Sequence, residues 1–203
     1  MTKGRLEAFS DGVIAILITI MVLDLHTPNG TSWQALRHEV PELLAYVLSF
    51  VYLGIYWNNH HHMLAAVSRV SGGALWANLN LLFWLSLVPF STAWMSEHRF
   101  PSIPTAVYGV VLLAAAIAYY ILQTTLVRGE GKGSKLQAAI GTDIKGKISP
   151  LLYCLGIGLA LADRWIGIAI YVIVALIWLV PDRRVERHLT TATADPSAHA
   201  DDE

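Results

Sequence analysis

The sequence predicts an all-α membrane protein with six transmembrane helices per subunit, and three observations carry that expectation. The chain of 203 residues is 55% hydrophobic and only 14% charged, with a mean hydropathy of +0.50. That is too apolar for an ordinary soluble domain and far from a disordered one. Apolar segments near the length that crosses a bilayer run at about 6–25, 41–59, 73–95, 103–127, 148–162 and 165–181. The basic residues alternate between loops. One set holds Lys3, Arg5, Arg69, Arg128, Lys132, Lys135, Lys145, Lys147, Arg183, Arg184 and Arg187, and the other only Arg37, Arg99 and Arg164. Because Lys and Arg favour cytoplasmic loops, the expectation is a multi-pass cell-membrane protein with both termini in the cytoplasm, which requires an even number of spans.

The first span opens with Arg5-x-x-x-Phe9-Ser10-Asp11 and runs straight into the apolar stretch Gly12 to Leu23. A charge at the centre of a membrane helix costs about 3 kcal/mol, so Asp11 is expected to face protein or water and to have a partner. Lys3 and Arg5 before an apolar run resemble a signal peptide, but Glu7 and Asp11 interrupt the region and no small-residue cleavage site follows Leu23. The span is therefore expected to stay in the mature chain.

Pro28-Asn29-Gly30-Thr31-Ser32 makes a turn into the second span, which ends in Trp57-Asn58-Asn59-His60-His61-His62. The third carries Trp76, Asn78 and Asn80, and then Pro89, which should kink the helix and leave freed carbonyls for Ser91 and Thr92. Pro101 and Pro104 open the fourth. The Gly- and Lys-containing loop at 128–147 is expected to be a mobile cytoplasmic connection. The fifth span is short and its turn at Asp163-Arg164 tight, so a re-entrant pair is the alternative to two full spans. Cys154, the single cysteine, reads as packing. A single six-helix transmembrane domain is expected over 1–185, and the polar residues 186–203 as a disordered cytoplasmic tail.

At about 100° per residue, Gly12, Ile16, Thr19 and Leu23 share one stripe of the first helix, with Ser10 and Asp11 pointing away from it. By periodicity alone the stripe reads first as helix packing and second as the wall of a pore. A pore would need several copies around an axis. Asp11 or Ser10 is expected to meet His60 or His61, at the same depth on the second span, and Asn78 can bond across helices. Consecutive histidines point in different directions, which suits metal ligation poorly. The net charge of −1 argues against nucleic acid as a partner. No nucleophile elbow, zinc-hydrolase motif or phosphate loop occurs, so an enzyme is not expected.

Together, Arg5-x-x-x-Phe9-Ser10-Asp11-Gly-Val-x-Ala15-Ile16-x-Ile-Thr19-x-x-Val-Leu23-Asp24, Trp57-x-x-His60-His61, Trp76-x-Asn78-Leu79 and Pro89-Phe90-Ser91-Thr92 resemble the prokaryotic branch of the transmembrane-protein-175, lysosomal-type potassium channels. The resemblance is close over the first three spans and rests on hydropathy over the last three. It implies a homotetramer in the lipid bilayer whose first helices line a central pore for monovalent cations. Ile16 and Leu23 would form apolar rings, Thr19 a hydroxyl ring, and Asp24 an acidic outer mouth. Arg5, Phe9, Ser10, Asp11, Trp57, His60, His61 and Asn78 would form a structural polar network. No cofactor is implied beyond the permeant potassium ion, and no metal. The competing expectation is a proton-coupled secondary transporter using Asp11 and a second-span histidine.

Overall fold

The computed structural model describes residues 2–131, 136–137 and 144–179. Its helices are α1 (Lys3–Leu23), α2 (Trp33–Ala65), α3 (Gly72–Ser86), α4 (Val88–Glu97), α5 (Ser102–Glu130), α6 (Ile144–Ala162) and α7 (Arg164–Leu179). The first three expected spans correspond to α1, α2 and the α3–α4 pair, and the last three to α5, α6 and α7. Among the described residues five segments, with α3 and α4 counted as one from Gly72 to Glu97, are long and apolar enough to cross a membrane. The described part of α7 has 16 residues, or about 24 Å of helix. The expected polar tail lies outside the described residues, as do residues 132–135 and 138–143 of the loop at 128–147.

Helix ends follow local chemistry. Ser32 and Ser71 cap α2 and α3 by accepting from the backbone N–H of Ala35 and Ala74. The third span breaks at Leu87, whose N–H turns back to the carbonyls of Trp84 and Leu85, while Pro89 occupies the first turn of α4, where its missing N–H costs nothing. The expected kink is a one-residue turn at Leu87, which keeps right-handed helical backbone angles of φ −87° and ψ −8°. Ser91 and Thr92 bond the Val88 carbonyl at 3.1 and 2.7 Å, rather than the Leu85 carbonyl that the proline frees.

Each α1 residue type finds its own side of the helix. Leu6, Ser10, Ile14, Leu17 and Met21, spaced by four, four, three and four, are buried against α2, α3 and α4. The core of the other half is a cluster of tyrosines. The Tyr52 hydroxyl donates to the Tyr171 carbonyl at 2.6 Å, and Tyr108 shares Ser49 with Thr92 at 3.0 and 2.7 Å, so α2, α4, α5 and α7 are joined by paired polar groups within apolar surroundings. The α6–α7 hairpin is packed backbone to backbone: a methyl on Gly167 would lie 2.5 Å from the Ala160 side chain and 2.9 Å from its Cα. Cys154 faces outward on α6 rather than into this packing.

Candidate functional site

Two features converge on α1, one on each side of it. The buried side meets α2 and α3 through polar side chains at the end of the bundle that holds the N-terminus. Lys3 Nζ donates to the Ala65 carbonyl at 3.0 Å, His61 Nδ1 lies 2.9 Å from Glu7 Oε1, and Trp57 Nε1 donates to Asp11 Oδ1 at 3.0 Å. These contacts form a ladder: 3, 7 and 11 on α1 meet 65, 61 and 57 on α2, each rung one turn from the next on antiparallel helices.

Deeper in the bundle lies a chain of hydrogen bonds. His60 Nε2 lies 2.7 Å from Asn78 Oδ1, Asn78 Nδ2 donates to Ser10 Oγ at 2.9 Å, and Ser10 Oγ donates to the Leu6 carbonyl at 2.9 Å. Since Asn78 Oδ1 can only accept, His60 carries its proton on Nε2. The chain therefore runs one way, from imidazole to amide to hydroxyl to carbonyl. His60, Asn78 and Ser10 are fully buried, and the remaining ring nitrogen, His60 Nδ1, has no partner among the described residues.

This arrangement corrects the expected pairings. Asp11 is held by Trp57, not by a histidine; His60 reaches Ser10 only through Asn78, and His61 takes Glu7. A tryptophan reaches where a histidine was expected because Trp57, and not His60, stands one rung from the His61–Glu7 pair on the α2 face turned to α1. Arg5 and Phe9 are not in the network. Both are exposed, because they sit on the outward stripe, Phe9 four positions after Arg5 and three before Gly12.

That stripe is the second feature. Arg5, Phe9, Gly12, Ile16, Thr19 and Leu23 alternate by four and three positions and are all exposed, with Ile16 57% and Leu23 80% exposed. Ile20 is also exposed on this side; its place four after Ile16 and three before Leu23 is the sequence signal that puts it there. Thr19 Oγ1 donates to its own helix at the Ile16 carbonyl, 2.9 Å away, which turns its lone pairs outward. Asp24 caps the end of α1 and is exposed. Beyond it His26 is tied to Glu42 of α2 through its backbone N–H at 3.1 Å and its ring Nδ1 at 3.1 and 3.2 Å.

Residues 5–89, which contain the outward stripe and all of the polar contacts except that of Lys3, match the family described as endosomal/lysosomal potassium channel TMEM175. Over 93% of its length the chain is 54% identical to a potassium channel of Chryseobacterium sp., of which it covers 98%. It belongs to the TMEM175 family. A potassium channel of Streptomyces collinus is 37% identical over 86% of the chain and 90% of that protein. Among solved structures, the crystal structure of a lysosomal potassium-selective channel TMEM175 homologue from Chamaesiphon minutus superposes with a TM-score of 0.74 at 27% identity, covering 90% of this chain and 97% of that one. The chain is a multi-pass membrane protein of a channel family and not an enzyme.

Proposed function

We propose that this chain is a potassium-selective cation channel of the cell membrane, assembled as a homotetramer with both termini in the cytoplasm, in which four copies of α1 line a central conduit. The observation that carries this reading is the outward stripe of α1. It is uncovered by the subunit's own bundle, while the opposite side of the same helix is locked to α2 and α3. A helix so held presents Ile16, Ile20 and Leu23 as stacked apolar rings once four copies surround an axis.

An apolar ring offers an ion nothing in exchange for its water, so it acts as a dewetting constriction that opposes most strongly the ion that holds water most tightly. Potassium sheds water more easily than sodium. Thr19, with its hydroxyl proton committed to the Ile16 carbonyl, offers oxygen lone pairs to a partly dehydrated cation, and Asp24 raises the cation concentration at the outer mouth. No cofactor is needed beyond the permeant ion. The one-way hydrogen-bond chain from His60 disfavours the transporter reading, since its three side chains are already committed as donors and end on a backbone carbonyl.

Single-channel recording of the purified protein in planar bilayers under bi-ionic potassium and sodium tests the proposal. A reversal potential displaced toward potassium is expected. Absence of discrete openings, together with proton-driven flux in vesicles, would replace the channel by the transporter.

A further inference from the structure

Away from α1, between α2, α5, α6 and α7, lies a cavity of about 40 Å³ walled by Tyr52, Tyr56, Tyr119, Tyr153 and Trp178. Gln123 of α5 borders it and is only 8% exposed. Polar groups nearby are paired: Trp178 Nε1 donates to Ser149 Oγ at 2.8 Å, Ser149 to the Lys145 carbonyl, and Tyr52 to the Tyr171 carbonyl. The Gln123 carboxamide and the Tyr56 hydroxyl have no hydrogen-bond partner among the described residues. One carboxamide and one phenol therefore border the same space, each with hydrogen-bonding capacity that no described side chain takes up.

We propose that this cavity is a binding site for a neutral, hydroxyl-bearing alkyl amphiphile dissolved in the membrane. The head group follows from the walls. No residue bordering the cavity is charged, which excludes an ionised head as the preferred ligand. A carboxamide both donates and accepts, as does a phenol, and an alcohol answers both. The size is that of roughly three water-sized groups, enough for a hydroxymethyl head. The aromatic faces then suit a slender chain that leaves toward the lipid.

The test uses the full chain in lipid nanodiscs, photolabelled with 3-azioctanol and mapped by mass spectrometry with and without excess 1-octanol. Competable labelling at the cavity residues Tyr52, Tyr56, Tyr119, Gln123, Ser149 or Tyr153 is expected. Gln123→Leu should lower it about tenfold, as loss of a hydrogen-bonded head group implies, without changing the label on outward-facing Leu151 and Leu155. Ala116→Leu, which fills the cavity without touching a polar group, should lower it as well, and it serves if Gln123→Leu fails to give a monodisperse protein. Label confined to lipid-facing residues, label that 1-octanol does not displace, or labelling of the cavity unchanged in Ala116→Leu would each overturn the proposal.

Discussion

Trp57 donates its indole N–H to Asp11 Oδ1 over 3.0 Å, so the acidic residue that opens the first membrane helix is held by a neutral donor. Asp11→Asn keeps an acceptor oxygen at the same place. It is expected to retain the bond, to lower stability by less than about 1 kcal/mol, and to leave the potassium-over-sodium preference unchanged. Trp57→Phe removes the donor and strands a half-buried carboxylate, costing about 1–3 kcal/mol. Thermal unfolding of the two variants, paired with reversal potentials, checks both statements; a larger loss in Asp11→Asn than in Trp57→Phe would refute the assigned bond.

Asn78 joins α1 to α2 by standing between Ser10 and His60. Hydrogen bonds between membrane helices contribute about 0.6–2 kcal/mol each, so Asn78→Leu should cost about 1–4 kcal/mol, and Ser10→Ala less, since only one interhelical bond is lost. Fluorescence-detected size exclusion after heating would rank them. Equal thermal tolerance in Asn78→Leu and the parent protein would mean that the chain of bonds contributes little.

Glycines supply a packing test. At Gly167 an added methyl meets Ala160 at 2.5 Å, whereas at Gly54 it meets nothing within 4 Å. Gly167→Ala should separate α6 from α7 and cost about 1–3 kcal/mol. Gly54→Ala should be neutral or stabilising, by up to about 1 kcal/mol from helix propensity. Melting temperatures that fall together would contradict the close α6–α7 approach.

At the other end of α1, the hydrogen bond and charge of Glu42 raise the pKa of His26 above the ordinary imidazole value, with smaller contributions from Glu39 and Glu97. The folded value lies above the unfolded one, so the charged contact is fully present below pH 6.5 and fades as pH rises through the folded value. A ¹³C-histidine NMR titration should show His26 protonating at higher pH than in Glu42→Gln. An identical midpoint in both proteins would dismiss the contact.

Much of this fold is legible in the sequence because bilayer thickness fixes span length and basic loops mark the turns between spans; Pro28 to Ser32, Pro89 and Pro101 then punctuate it. The buried face of α1 is equally readable, since Ser10 and Asp11 lie away from Gly12, Ile16, Thr19 and Leu23 by simple helical arithmetic. Partner choice is not. His60, His61 and Trp57 are all within reach of the N-terminal end of α1, and which one meets Asp11 depends on the rotation of α2, set by packing far from the motif. The i, i+4 spacing of Lys3, Glu7 and Asp11 opposite Trp57, His61 and Ala65 is the signal that would have resolved it. Arg5 and Phe9 share the Ser10–Asp11 motif and yet fall on the stripe, because adjacency in sequence is not adjacency on a helix. The turn at Leu87 stands two residues before Pro89, where the sequence placed the kink, whereas the Val88 carbonyl as the acceptor of Ser91 and Thr92 was not readable from the proline alone.

The central claim is that the α1 stripe lines the ion path. Cysteines placed singly at Ile16, Thr19 and Leu23 in a Cys154→Ser background, which removes the outward-facing native thiol of α6, are exposed to a water-soluble cationic thiol reagent during single-channel recording, with Leu155→Cys as the lipid-facing control. The account predicts stepwise block at Leu23→Cys and Ile16→Cys, slowed when potassium flux is high, and no effect at Leu155→Cys. Undiminished potassium current in all three stripe variants, with confirmed modification of the thiols, would contradict it.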